Sequence, residues 1–110
     1  MKLPSAENAI IDPLKIQRYC LNSDHPVGKH KAKVFKSVLG FTARDSDTLE
    51  TLIRQALSEQ EAQLGVVDIY GQRYIVDFSV TTAQGDAVVR STWIILAGET
   101  TPRLTSAYIR

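Results

Sequence analysis

One cysteine, Cys20, is all that the chain carries, so no internal disulfide forms and a cysteine-based zinc site is ruled against. Long apolar runs are missing as well. None approaches the roughly 20 residues of a membrane span, and the opening Met1-Lys2-Leu3-Pro4-Ser5-Ala6-Glu7 lacks the apolar core of a signal peptide. The expectation is a soluble, cytoplasmic protein with no membrane partner. An excess of charge of either sign is also absent. Thirteen Lys and Arg against twelve Asp and Glu give a formal net charge of +1, so any nucleic-acid binding has to come from a local patch. Walker loops, Gly-rich dinucleotide fingerprints and Gly-x-Ser-x-Gly elbows do not occur. No cofactor is expected, and Cys20, between Tyr19 and Leu21 in an apolar stretch, has no predicted base to make it a nucleophile.

What is present fits one compact domain, residues 1–110. The chain has 110 residues, 44% of them hydrophobic, enough for a modest core. Its charges are segregated. From Asp24 to Arg44 there are five Lys and Arg residues and two histidines against one acid, and from Asp45 to Glu61 five acids oppose Arg54 alone. The densest part is His25-Pro26-Val27-Gly28-Lys29-His30-Lys31-Ala32-Lys33-Val34-Phe35, where acid/base groups and positive charge coincide. The competing reading is two helices that exchange surface ion pairs of small value.

The pattern predicts an α+β fold: about three N-terminal helices packed on one face of a four-stranded antiparallel β-meander. Ala9-Ile10-Ile11 reads as a short extended piece. Asp12-Pro13 supplies an N-cap and first-turn proline for a helix through about Leu21, anchored by Leu14, Tyr19 and Leu21. A second helix runs from about Lys29 to Leu39, with Val34, Phe35, Val38 and Leu39 apolar and Gly40 as its stop. Asp47 and Glu50 resemble a capping box for a third helix, whose stripe is Leu49, Leu52, Ile53, Ala56 and Leu57.

After Ala62 the period becomes two. Strands are expected at Val66–Tyr70 and Tyr74–Val80 around a Gly71-Gln72-Arg73 connection, then at Ala87–Leu96 after a turn at 82–86, and at Arg103–Ile109 after a connection at 97–102. Tyr74, Val76, Phe78 and Val80 share the core face, with Arg73, Ile75, Asp77 and Ser79 opposite. Arg90 and Thr92 point together, and the last strand offers either Arg103 and Thr105 or Ser106 and Tyr108. The wet face thus gathers arginines and hydroxyls, as any half-solvated antiparallel sheet does to some degree. Trp93 is assigned to the core, and Asp77 is the natural partner of Arg90.

RNA cleavage by attack of a 2′-OH on the adjacent phosphate needs a base, an acid and cations for the phosphorane. His25 and His30 are the acid/base candidates and Arg90 the central cation. Lys29, Lys31, Arg103, Thr92, Thr105 and Tyr108 are candidates for binding phosphate. The start of the second helix would add free backbone N–H groups, and Gly28 would allow close approach. A metal is not expected, because the histidines are five apart and the nearest acid, Asp24, precedes a proline-containing loop. The duller alternatives are a loop-capping role for His25 before Pro26 and a core-edge histidine at position 30.

Leu3-Pro4-Ser5-Ala6-Glu7, Ile11-Asp12-Pro13 with Lys15, the His25–Phe35 stretch, Leu39-Gly40, Tyr70-Gly71-Gln72-Arg73-Tyr74, Val89 to Ile94 and Pro102-Arg103-Leu104-Thr105 together resemble a family of small bacterial domains of unknown function. The most specific part is the His-Pro-x-Gly-x-x-Lys-Ala-x-x-Phe motif at 25–35. Such domains stand alone or end large polymorphic toxins, which implies a toxin-like activity. The architecture is also similar to that of the barnase, EndoU, colicin and RelE ribonucleases, although no residue matches a catalytic signature of that group and a shared fold does not fix function. These resemblances imply a metal-independent ribonuclease-like toxin-type domain with RNA as partner. The other reading is a non-catalytic module that binds nucleic acid, an immunity protein or another acidic protein through its basic face, or a second copy of itself through a sheet edge.

Overall fold

Asp12 opens the first helix, with its side-chain oxygen accepting from the Leu14 amide at 2.9 Å and Pro13 in the first turn. In the computed structural model, which describes residues 1–110, α1 spans Pro13–Lys15 and runs directly into a π-helical turn, Ile16–Cys20. The Leu21 amide bonds back to the Ile16 carbonyl, five residues away, at 2.9 Å. The wider turn moves the buried face: Ile16, Cys20 and Leu21 enter the core, while Leu14, expected as an anchor, is exposed.

α2 spans Lys29–Leu39 and stops at Gly40, whose φ of 76° is the left-handed C-cap that glycine adopts without penalty. Its buried residues are Ala32, Phe35 and Leu39. Val34, expected among the apolar anchors, faces solvent. α3 spans Ser46–Glu59. The capping box belongs to Thr42 and Asp45 in the single 3₁₀ turn before it, not to Asp47 and Glu50. The same residue chemistry recurs one turn earlier, and Glu50 is engaged with Arg54 at 3.1 Å. Leu49, Ile53, Ala56 and Leu57 form the buried stripe.

The strands are β1 (Ala62–Asp68), β2 (Gly71–Thr81), β3 (Asp86–Leu96) and β4 (Arg103–Ile109), antiparallel in the order β1-β2-β3-β4. The first turn falls at Ile69-Tyr70 rather than at Gly71–Arg73. The cause is Asp68, whose Oδ1 accepts the Tyr70 and Gly71 amides at 2.9 and 3.3 Å and folds the chain back two residues early. Gly71 then starts β2 at a φ of 151°, against the Ile95 backbone. The extended piece at Ile10 is present too. Its amide donates to Pro102 O and its carbonyl accepts from Leu104 N, so the N-terminal segment runs parallel along the outer edge of β4.

Helices and N-terminal segment all cover one face of the sheet. Their buried residues meet Val76, Phe78, Val80, Val89, Trp93, Leu104 and Ala107 in one cluster. At its centre Trp93 is fully buried, and burial of an indole of this size is among the largest single contributions to such a core. Its Nε1 donates to Ser91 Oγ at 2.9 Å, and Ser91 in turn donates to Val76 O at 2.8 Å.

Candidate functional site

Strand register decides what the other face carries. Across β2, β3 and β4 it reads in rows: Arg73, Ile94, Arg103; then Ile75, Thr92, Ser106; then Asp77, Arg90, Tyr108. A bulge between Thr92 and Trp93 lets two β4 residues oppose Thr92. Thr105 and Ser106 therefore share the open face, and Arg103, Thr105 and Tyr108 lie on it together. Simple alternation allowed only one of the two pairs. The bulge is closed by a hydrogen bond between the Thr92 and Thr105 hydroxyls at 2.7 Å.

Arg90 is the hub. Its Nε and Nη2 donate to the two oxygens of Asp77 at 2.9 and 3.0 Å, a bidentate pair that fixes the guanidinium plane. Asp77, and to a lesser degree Tyr108, raise Arg90 above the ordinary arginine value, so it serves as a fixed cation. Arg110 adds a contact to Asp77 Oδ2 at 3.3 Å. From the neighbouring helix, Lys31 Nζ lies 4.2 Å from the centre of the Tyr108 ring. Lys15 reaches Thr105 O at 3.2 Å. Two cations, Arg90 and Arg110, thus meet on one carboxylate, and a third, Lys31, lies over the ring of Tyr108, the register partner of Arg90.

The other expected site residues lie apart from this cluster. His25 is half-buried, packed edge-on against Tyr19 at 4.9 Å, and its Nδ1 accepts the Val27 and Gly28 amides at 3.0 Å each. Its ring proton therefore sits on Nε2. Lys29 N donates to His25 O at 3.1 Å, so the loop itself takes up the amides entering the helix. The close approach that Gly28 permits is that of Tyr19, since a Cβ there would lie 2.9 Å from Tyr19 O. His30 is exposed on the first turn of α2, not at the core edge. No contact joins either histidine to Arg90. Lys29 heads α2 without a side-chain partner, and Arg103 is tied to Glu99 at 3.3 Å. Sequence reasoning passed over Arg110 and Lys15. Counting register onward from Arg90 and Tyr108 signals Arg110, whereas Lys15 depends on the packing of α1 against β4.

Besides a cleft of about 470 Å³ at the β2–β3 hairpin, whose only charged group is Asp86, two clefts border the sheet. One, of about 380 Å³, lies between α3 and the half of β2 that β1 leaves unpaired; its charged groups, Glu59 and Asp77, are acids and do not suit an anion. The other, about 330 Å³, adjoins the cationic cluster and is lined by Gly65, Val66, Arg73, Ile75, Thr92 and Thr105 among others.

A family model described as a domain of unknown function, DUF6883, matches residues 2–110. The chain belongs to the DUF6883 family. Among solved structures the fold is similar to a chain from a contact-dependent growth inhibition toxin–immunity protein complex of Klebsiella pneumoniae 342. The TM-score is 0.64 at 16% identity, over 92% of this chain and 99% of that one, so the likeness is one of fold. No curated protein matches the DUF6883 chain by sequence.

Proposed function

We propose that this DUF6883 domain is a toxin-type, metal-independent ribonuclease-like module that engages RNA phosphodiesters on its open sheet face. The observation that carries the reading is the clustering on one face of Arg90 and Arg110, both on Asp77, of Lys31 over the Tyr108 ring, and of the bonded Thr92 and Thr105 hydroxyls one row away. The fold likeness to a chain of a toxin–immunity complex supports the toxin side of it.

Arg90, oriented by Asp77 through Nε and Nη2, leaves Nη1 to a phosphate oxygen, with Arg110 on the same carboxylate and Lys31 over the adjacent Tyr108 ring. The adjoining cleft over Ile75 is of a size to take a nucleobase. In the reaction the 2′ oxygen bonds to phosphorus as its proton passes to a base. The bond from phosphorus to the 5′ oxygen breaks and that oxygen takes a proton. The cations stabilise the charge on the phosphorane. His25 and His30 are the acid/base candidates. His30 is adjacent to Lys31 in α2, and His25 offers only Nε2. The same basic face would also suit an acidic protein, such as an immunity partner.

The test is incubation of the protein with total RNA in excess EDTA, read on a gel. Wild type cleaves; Arg90→Ala lowers the rate by about a hundredfold, as expected for loss of a transition-state cation, and His25→Ala/His30→Ala abolishes cleavage. Wild type without cleavage across pH would overturn the enzymatic reading. Cleavage that survives the double histidine variant would reassign proton transfer to Lys31 and Tyr108.

A further inference from the structure

Five large apolar side chains on one strand and its turn, Leu64, Val66, Val67, Ile69 and Tyr70, are each between 64% and 85% exposed. The other exposed apolar residues, such as Leu14, Val34 and Val88, are dispersed over different elements. β1 is also an outer strand, so one row of its backbone N–H and C=O groups has no strand beside it. Leu64 and Val67 stand across from Tyr74 and Gln72, on the helix side of the sheet but where no helix covers them.

Edge strands are ordinarily blunted by Lys, Pro or an inward-pointing charge. β1 has none of these. Its one charge, Asp68, is folded into its own turn and lies 3.8 Å from Arg73. The only blunting device is the bulge between Leu64 and Val67, where Gly65 and Val66 oppose Arg73. That bulge shortens the straight run available for a hydrogen-bonded ladder, so any partner is held by side chains as much as by backbone. Weighted by ordinary residue areas, the five side chains present roughly 600 Å², the upper end for the largest apolar patch of a monomer.

We propose that a second copy of this chain covers that patch, β1 lying antiparallel against β1 about a two-fold axis perpendicular to the sheet. The occupant follows from the chemistry. The patch offers no free charge for a different partner to complement, and an uncharged apolar strip is self-complementary under a two-fold. Two such patches amount to about 1,200 Å² when fully covered, the lower bound for a specific interface. The symmetry has a consequence for the basic face. Antiparallel edge pairing keeps both open faces on the same side, with the two Arg90 strands five strand spacings, roughly 24 Å, apart across the sheet and the two clusters at opposite ends of the paired β1 strands. The dimer stands independently of the phosphodiester reading; only a composite RNA-binding surface rests on it.

Sedimentation equilibrium of the purified chain, from low micromolar to submillimolar, tests this. The expected result is a concentration-dependent shift from monomer to dimer mass. Val67→Lys and Ile69→Lys each hold the protein at monomer mass with an unchanged circular dichroism spectrum, and Val34→Lys, on α2, dimerises as wild type does. Monomer mass at every concentration, or a dimer that survives Val67→Lys and Ile69→Lys, would overturn the proposal. So would a chain that is monomeric alone and uses β1 only to bind a different protein. Loss of RNA cleavage in a variant that still dimerises bears on the catalytic reading alone.

Discussion

Ser91 shows how one side chain holds a core together. It is the only polar residue among those buried, and it sits there because its hydroxyl is used twice, donating to Val76 O and accepting from Trp93 Nε1. Ser91→Ala removes both side-chain bonds at once and leaves the buried indole N–H unpaired, while Val76 O keeps its place in the β2–β3 ladder. The expected cost is about 1–3 kcal/mol, read as a lower urea midpoint at unchanged slope. Gly71 is constrained differently. At a φ of 151°, a Cβ would run into the carbonyl of Ile95 on the paired strand, so Gly71→Ala combines backbone strain with a clash that the sheet cannot relieve. It should destabilise by more than about 1 kcal/mol, visible as a lower midpoint in the same titration. Gly98, at a φ of 81° but with nothing near its missing Cβ, tolerates alanine better.

At the scale of elements, the π-helical turn carries a consequence for pH. It buries Cys20, and burial pushes the thiol above its ordinary value against the lowering effects of the Ala107 backbone and Lys15. A folded-state value above the unfolded one favours the neutral thiol. Its contribution is complete below the unfolded value, near pH ~8.5, and is lost as pH rises through the folded one. Thermal melts should therefore show a steeper alkaline fall for wild type than for Cys20→Ala, with the two curves converging in slope below neutrality. The sequence did not announce this turn. Asp12-Pro13 and Gly40 mark their boundaries by local chemistry, as does the period-two stretch from Tyr74 to Val80, and these are the parts that were legible. The π turn, the bulge at Thr105 and the early hairpin at Asp68 insert or shift single residues. Each changes which face a side chain takes without altering the hydrophobic pattern that a reader of the sequence follows. The same fact explains the candidate site: Arg90, Thr92 and Asp77 were readable from alternation, while the joining of Thr105 to Tyr108 needed the bulge and Lys31 needed the docking of α2. His25 was legible as a residue that matters, and its observed work is to close the loop before α2.

For the whole molecule, electrostatics is local rather than global. A net charge of +1 exerts little pull on a polyanion, so RNA binding on the proposed face should depend on salt only as strongly as the cations of that face dictate. Single-stranded RNA loses about 0.7 in the logarithmic salt slope for each phosphate neutralised. With Lys31, Arg90 and Arg110 engaged, the slope should be about −2. Lys31→Ala and Arg110→Ala should each flatten it by about 0.7, because both leave the bidentate Arg90–Asp77 pair in place, Arg110 giving up only its own contact to Asp77 Oδ2. Arg103→Ala should leave it nearly unchanged, since Glu99 already neutralises that guanidinium two rows from Arg90. Asp77→Asn separates charge from order. It removes the single opposing carboxylate and should steepen the slope, yet it loosens the bidentate hold on Arg90 and should slow any cleavage. Fluorescence anisotropy of a labelled single-stranded RNA, titrated at several salt concentrations, measures all five slopes. A slope near zero for wild type, or one unmoved by Lys31→Ala and Arg110→Ala, would place RNA binding away from this face.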